Sequence, residues 1–378
     1  MEKRKILFLA ESLSVGGAEK ALVSILKLLD YQSLDVTLRL ISKSGDFIKE
    51  LDGIDGLKIS HVVKPSCNPI KKLINSIKIK AIYKLCPAFM VGNYLCRGYD
   101  VVFAFCEGYL TKWIGASSVS CKKIAWVHTD MVQNDWPLDT GVFRSFEEER
   151  SSYSRFDKVI GVSKIVADGM REKFGCGHTN VIYNIIDTDI KKKSRQFVPR
   201  IRKAKLNIVS VGRLEYVKGY DLLIKAISVL INKKHLDIHL CLVGNGSQHQ
   251  MLERQIIDAG LQNNVTLAGL QANPYPFIFA ADLFVCPSRQ EGFNIAILEA
   301  MTLGKPIIAT DTAGPSEILK DGLFGIITAV SVHDLSTAIE RCYRNHELLA
   351  EYTQQSIDRA KEYTPKNSVE TLIRLIKE

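Results

Sequence analysis

Short β-branched apolar runs alternate with helical patterns along the whole 378-residue chain, and this alternation limits the fold more than any other feature. In the first half the runs fall at Ile6–Ala10, Val36–Ser42, Lys58–Val63, Val101–Cys106, Ile124–His128, Lys158–Val162 and Val181–Ile185. In the second they fall at Asn207–Val211, Ile238–Val243, Val265–Ala268, Leu283–Cys286, Pro306–Ala309 and Gly325–Thr328. Some are apolar without a break, as in Val101-Val102-Phe103-Ala104-Phe105, which marks strands buried on both faces. Helical patterns such as Ala18–Leu29 and Tyr220–Ile231 intervene. Strand–helix alternation predicts an α/β fold of parallel sheets with right-handed crossovers.

The alternation stops once and restarts. Thr188 to Leu206 is rich in Lys and Arg, contains Pro199 and lacks apolar periodicity. The chain therefore divides into an N-terminal domain (1–188), a basic linker (189–206), a C-terminal domain (207–360) and a final helix (361–378) expected to pack back toward the first domain. An apolar fraction of 46% and a charged fraction of 24% exclude wholesale disorder and fibrous repeats. The nine cysteines are odd in number and show no C-x-x-C spacing, which predicts reduced thiols in a cytoplasmic protein. The apolar run after Lys3-Arg4-Lys5 ends at Glu11, too short for a secretory leader. No window is long and apolar enough for a transmembrane helix.

Open α/β sheets bind ligands beyond the carboxyl ends of their strands, and four groups of residues occupy such positions. Gly16-Gly17-Ala18-Glu19 links the first strand to a helix, where backbone can approach an anion closely. It is not G-x-G-x-x-G, so a dinucleotide-dependent dehydrogenase has no support. Arg213 and Lys218 lie on the loop after the first strand of the second half and can converge on a diphosphate. Glu291 and Glu299 form a Glu-x7-Glu pair whose spacing alone says little, since it recurs at Glu11/Glu19, Glu362/Glu370 and Glu370/Glu378. Its context says more: Glu291 precedes a helix with Asn294 as N-cap, and backbone N–H groups near Phe293 to Ala296 would face the same ligand. Donors for phosphate beside carboxylates for hydroxyls suit a sugar diphosphate. His128 ends a strand of the first half, where a lone histidine is either structural or functional. Asp187-Thr188-Asp189 has the form of a metal-binding pair but reads as a strand end and helix cap.

Together these residues resemble the retaining GT-B glycosyltransferases of family GT4. The resemblance rests on Gly16-Gly17-Ala18-Glu19, on Asn184-Ile185-Ile186-Asp187, on Gly212-Arg213-Leu214 with Lys218-Gly219, and on Pro287-Ser288 through Glu291-Gly292-Phe293 and Glu299-Ala300-Met301 to Gly304-Lys305-Pro306. It implies two Rossmann-like, doubly wound parallel-sheet domains with a cleft between them and a nucleotide sugar held mainly by the second. On this resemblance Arg213 and Lys218 hold the diphosphate, Glu299 meets the ribose, and Glu291 meets the transferred sugar together with Gly292, Phe293, Asn294 and Ile295. Leu270 lies near the base, the Gly16-Gly17 loop closes over the phosphates, and His128 lies beside the transferred sugar. No metal and no other cofactor is expected. Asn294 departs from the family, whose members often carry Gly or Pro there.

The net charge of +9 is local. Lys64 to Arg97 holds seven basic residues and no acid; Lys191 to Lys205 holds eight and no acid. In the first of these segments Ile70, Leu73, Ile74, Ile77, Ala81 and Leu85 form one helical stripe, with Lys71, Lys72, Lys78 and Lys84 off it. Such a helix either packs its stripe on the sheet or lies on an anionic membrane. The second reading suits a lipid-linked acceptor in bacterial surface polysaccharide or glycan assembly, and a peripheral position on the inner face of the membrane. The second segment has Phe197 as its one aromatic residue and carries no nucleic-acid motif, so no nucleic-acid partner is expected. Two alternatives stay open: a non-catalytic nucleotide-sugar-binding protein of the same fold, and a transferase with a soluble acceptor.

Overall fold

The computed structural model describes residues 3–14, 16–41, 45–64, 66 and 68–378, with the backbone only at Asp46. Cys67 and the Ser42 end of the second expected strand lie outside the described residues. The eight other cysteines are free.

By packing, the chain forms two units: residues up to Asn184 together with Lys366–Glu378, and Ile185–Pro365. The first is built on seven parallel strands: β1 (Arg4–Ala10), β2 (Leu34–Leu40), β3 (Lys58–His61), β4 (Val101–Ala104), β5 (Lys122–Val127), β6 (Lys158–Gly161) and β7 (Thr179–Val181). Their order is β3-β2-β1-β4-β5-β6-β7. The second has six: β8 (Leu206–Val211), β9 (Ile238–Val243), β10 (Val265–Leu267), β11 (Leu283–Cys286), β12 (Ile307–Thr310) and β13 (Ile326–Thr328), in the order β10-β9-β8-β11-β12-β13. The order reverses between β1 and β4 in one sheet and between β8 and β11 in the other. In open α/β sheets ligands bind outside the carboxyl ends of the strands at such a switch point.

The central strands are buried and mostly apolar because helices cover both faces. Every residue of β4, β9, β11 and β12 is buried, and Phe8 stacks on Phe103 across β1 and β4 at 4.5 Å. In the second unit Leu206, Ile224, Leu240, Val285, Ile308 and Ile339 belong to one core cluster.

Two expectations change. The run at Val181–Ile185 is not a strand beyond Val181. Its partner β6 ends at Gly161, paired with Val181, where the chain turns into the helix Lys164–Phe174; the Ile182 N–H still bonds the Gly161 carbonyl at 3.1 Å, and the residues after it have no strand to bond. The basic stretch after Thr188 is not free chain either. Ile190–Lys193 is a helical turn with Ile190 buried, Asn273 bonds the Lys193 carbonyl at 2.9 Å, and Arg202 pairs with Asp237 at 2.5 Å. These contacts build the segment into the second unit.

The terminal helix Pro365–Lys377 ends against the amino edge of the first sheet. Arg4 of β1 donates to the Ile376 carbonyl, Lys122 of β5 donates to that of Leu375 at 2.7 Å, and Lys158 of β6 pairs with Glu378 at 3.2 Å. Cations there satisfy carbonyls that a helix end leaves open and oppose its negative dipole end.

Glu149, on the helix Phe146–Tyr153, is fully buried, and its neighbour is Asp135, itself paired with Lys173 at 2.7 Å. Two carboxylates cannot bond without a proton. Burial first, and then the Asp135 charge, push Glu149 up to about 8, so at neutral pH it is held protonated beside Asp135. The raised value means the folded state binds the extra proton. Stability should therefore fall as pH rises from the ordinary glutamate range toward 8, by up to about 1.4 kcal/mol per pH unit, and level off above. Trp113, Trp126 and Trp136 all lie in the first unit, so tryptophan fluorescence reports its urea unfolding. Glu149→Gln, a neutral donor, should flatten that slope; an unchanged slope would count against the shared proton.

Candidate functional site

In the second unit the loops after β8 and β11, adjacent strands at the switch point, meet. Beyond β8 the chain makes a tight 3-10 turn at Tyr216–Lys218 and then Gly219 at φ 68°. A Cβ at Gly219 would stand 1.9 Å from the Pro287 carbonyl oxygen. Only glycine supports both that backbone and that approach. The Arg289 N–H donates to the Val217 carbonyl at 2.7 Å, and its guanidinium spans both Asp221 oxygens at 2.7 and 2.8 Å. That guanidinium lies 4.0 Å from the Tyr216 ring centroid. The two loops are thus locked into one body.

This locking brings Lys218 onto Glu291. The ammonium pairs with Glu291 Oε1, which also accepts from the Ser288 hydroxyl at 2.9 Å and from Asn294 Nδ2 at 2.9 Å. Asn294 is the expected N-cap: its Oδ1 accepts from the Ile297 N–H at 3.1 Å, starting the helix Ile295–Thr302. Its Nδ2 also donates to Cys286 Sγ at 3.1 Å. One buried amide therefore joins helix cap, strand end and carboxylate. Gly292, Phe293 and Ile295 are buried, which leaves backbone as what they can offer a ligand. Arg213 is exposed on the same loop as Lys218. Glu299, one and a half turns into the helix, is 2% exposed and accepts from the Tyr275 hydroxyl at 3.2 Å. Leu270 stands exposed after β10.

In the first unit Gly16 is the N-cap of the helix Gly17–Leu26 in extended backbone. A Cβ there would meet the carboxylate tip of Glu19, a flexible group, so internal packing does not demand glycine. His128 follows β5. Burial pushes its imidazole down to about 4, with the Glu107 carboxylate opposing, so the ring is neutral at physiological pH. Phe105 and Trp126 flank it, with centroids at 5.0 and 6.4 Å.

Asp187 is occupied locally. One oxygen accepts from the Asp189 N–H at 2.8 Å and the other pairs with Lys193. The Asp189 side chain caps no helix. Among the described residues no three His, Cys, Asp or Glu side chains group as metal ligands.

Sequence reasoning missed Arg289, Tyr275 and Glu107. Arg289 sits two positions before Glu291 but reads as a surface cation until Asp221 is seen opposite. Glu107 did carry a signal: it directly follows the apolar run ending at Cys106, at a strand's carboxyl end.

Residues 191–359 match the family model of glycosyl transferases group 1. Over 142 residues the chain is 30% identical to the lipopolysaccharide core biosynthesis glycosyltransferase LpsE of Rhizobium meliloti, covering 37% of this chain and 40% of that relative. It thus spans two fifths of that protein's length. Over 367 residues, 93% of each chain, it is 25% identical to the N-acetylgalactosamine-N,N'-diacetylbacillosaminyl-diphospho-undecaprenol 4-alpha-N-acetylgalactosaminyltransferase of Campylobacter jejuni. Among solved structures, Anabaena HepE in complex with UDP-glucose matches the fold with a TM-score of 0.77 at 22% identity, covering 99% of both chains.

Proposed function

We propose that this chain, which has a GT-B fold and matches the group 1 glycosyl transferase model over residues 191–359, is a transferase of that group and moves a hexose-type sugar from a UDP-sugar to a saccharide acceptor with retention of configuration. The observation that carries this reading is the convergence of Lys218 and Glu291, from loops 73 positions apart, at the switch point of the second sheet. Lys218 and Arg213 meet the diphosphate, and the N-terminal turn of the helix Ile295–Thr302 adds N–H donors. Glu291 has Oε1 committed to three donors and uses Oε2 for a sugar hydroxyl. A carboxylate so engaged is a poor nucleophile, so it positions and stabilises. Glu299 takes the ribose, and Leu270 covers the base. In the first unit the Gly16-Gly17 backbone serves the phosphates and His128 serves the transferred sugar.

In the reaction the bond from the anomeric carbon to the diphosphate oxygen breaks and its electron pair leaves with the phosphate. The acceptor oxygen bonds that carbon from the same face, and its proton passes to the departing phosphate. Fixed cations lower the barrier because negative charge grows on the leaving group. These cations are side chains, so no metal is required.

A panel of UDP- and GDP-sugars in EDTA, scored by released nucleotide, tests the reading. Release from a UDP-hexose, quickened by acceptor and indifferent to chelation, is expected. Activity lost on chelation and restored by Mn²⁺ would overturn the metal-free mechanism. Absence of release from every donor would leave a nucleotide-sugar-binding protein.

The acceptor is proposed to be lipid-linked, in bacterial surface polysaccharide or glycan assembly. The helix Pro69–Lys84 buries none of its residues. Ile70 is 70% exposed and Leu85, just beyond the helix, 80%; Phe89, Met90 and Tyr94 on the next helix, Ala88–Cys96, are also exposed. The stripe is therefore not packed on the sheet. The lysines beside it suit an anionic bilayer. The Campylobacter relative's name gives a diphospho-undecaprenol acceptor. No helix among the described residues is long and apolar enough to cross a membrane, so the proposal is peripheral binding at the inner face. Changing Lys71, Lys72, Lys78 and Lys84 to Gln removes about 1 kcal/mol each and should release the protein from anionic vesicles, as should high salt. Wild-type protein that ignores such vesicles at low salt would point to a soluble acceptor.

A further inference from the structure

We propose that Glu107 is a positioning residue that acts on transfer through His128. The inference rests on the transferase reading above and adds a residue to it. Glu107 lies in the turn between β4 and the helix Tyr109–Ala116 and is 4% exposed. Its Oε2 accepts from the His128 N–H at 3.0 Å. Its Oε1 accepts from the Thr129 hydroxyl and from Trp136 Nε1 at 3.3 Å. One carboxylate thus ties down both ends of the segment 128–136. The neighbouring Gly108 has φ 93°, and a Cβ there would strike the Trp136 ring at 2.6 Å, so the turn is seated directly on that indole.

Among the described residues no lysine or arginine pairs with Glu107. A buried anion held by neutral donors alone bears a desolvation cost that a glutamine of the same shape would largely avoid. Holding the loop therefore does not account for the charge. Its field falls on the His128 imidazole. That ring is flanked by Phe105 and Trp126, and among the described residues both its nitrogens are buried without a hydrogen-bond partner. Buried ring nitrogens left open are costly in the free protein and are satisfied when a ligand hydroxyl arrives. Glu107 fixes the backbone that carries the ring and places a carboxylate close enough to act on it.

The test is a double-mutant cycle in the full chain, with kcat and donor KM read from nucleotide release. Glu107→Gln should lower kcat by about tenfold or more with donor KM within about twofold, and by less than about twofold in the His128→Ala background. His128→Ala keeps the backbone N–H that Glu107 accepts, so a merely structural role would cost the same factor in both backgrounds; that result overturns the proposal. Unchanged kcat in a folded Glu107→Gln protein overturns it too. If Glu107→Gln does not fold, Trp136→Phe and Thr129→Val each remove one donor and keep the charge. Each should slow wild type by about threefold and leave the His128→Ala protein unaffected; equal losses overturn the proposal. A wild type that releases no nucleotide from any donor overturns the transferase reading and this inference with it. An active wild type with additive losses overturns this inference alone.

Discussion

The Lys218→Ala protein is expected to lose at least about tenfold in transfer rate, the equivalent of one charge-assisted hydrogen bond worth about 1.5–3 kcal/mol. The loss has two origins. The ammonium proposed to meet the diphosphate is gone, and Glu291 Oε1 keeps only Ser288 and Asn294 as donors. Arg213→Ala should show the first effect without the second, because its side chain is exposed. Both proteins should melt close to wild type, since neither side chain belongs to the core. Near-normal turnover in either would remove the diphosphate assignment.

Glu291→Gln should cost more, about a hundredfold in kcat, the scale seen when a preorganised electrostatic group is lost from a reaction centre. The amide oxygen can still accept at the Oε1 position, but the Lys218 charge is left unbalanced and the Oε2 acceptor proposed for the sugar hydroxyl is replaced by a donor. Glu299→Gln should also depress transfer strongly, chiefly through donor KM, because its proposed partner is the ribose. Glu370→Gln is the control. It shares the seven-residue gap with Glu362 and Glu378, but it is exposed and faces Lys366 at 3.8 Å. Exposed pairs of that kind contribute little, so its rate should stay within about twofold of wild type. If all three variants behave alike, the Glu-x7-Glu spacing carried no information and the loop argument fails.

The architecture was legible because apolar runs bounded by polar turns leave few other readings. Twelve of the thirteen runs coincide with strands whose ends shift by a few residues, and the thirteenth, Val181–Ile185, shares only Val181 with β7. The largest error, at Val181–Ile185, came from a long-range cause: where β6 stops cannot be read from the residues of β7. The contacts of the basic linker were hidden for a related reason. Lys193 and Arg202 look like solvated charge until Asp187 and Asp237 are found beside them.

The candidate site was legible where a residue's position along its own segment determined its place. Asn294 as N-cap and Glu299 on the same helix follow from local spacing. The pairing of Lys218 with Glu291 does not, because it depends on β8 and β11 being neighbours and on Gly219 pressing against Pro287. Glu107 has only its place after a strand to mark it, and its bonds to His128, Thr129 and Trp136 come from residues 21 to 29 positions away. The exposure of Ile70, Leu73 and Ile77 was likewise unreadable, since a helical stripe is the same in sequence whether a sheet covers it or nothing does.

The central claim is that this chain transfers a sugar and does not merely bind or hydrolyse its donor. Incubation with a labelled UDP-hexose and membrane lipids carrying saccharide acceptors tests it most directly, with released UDP and organic-extractable label measured in the same reaction. The account predicts equal amounts of UDP and lipid-bound label, an anomeric configuration in the product matching that of the donor, and loss of both signals in Lys218→Ala. UDP released without label on any acceptor, or label transferred equally well by Lys218→Ala, would contradict it.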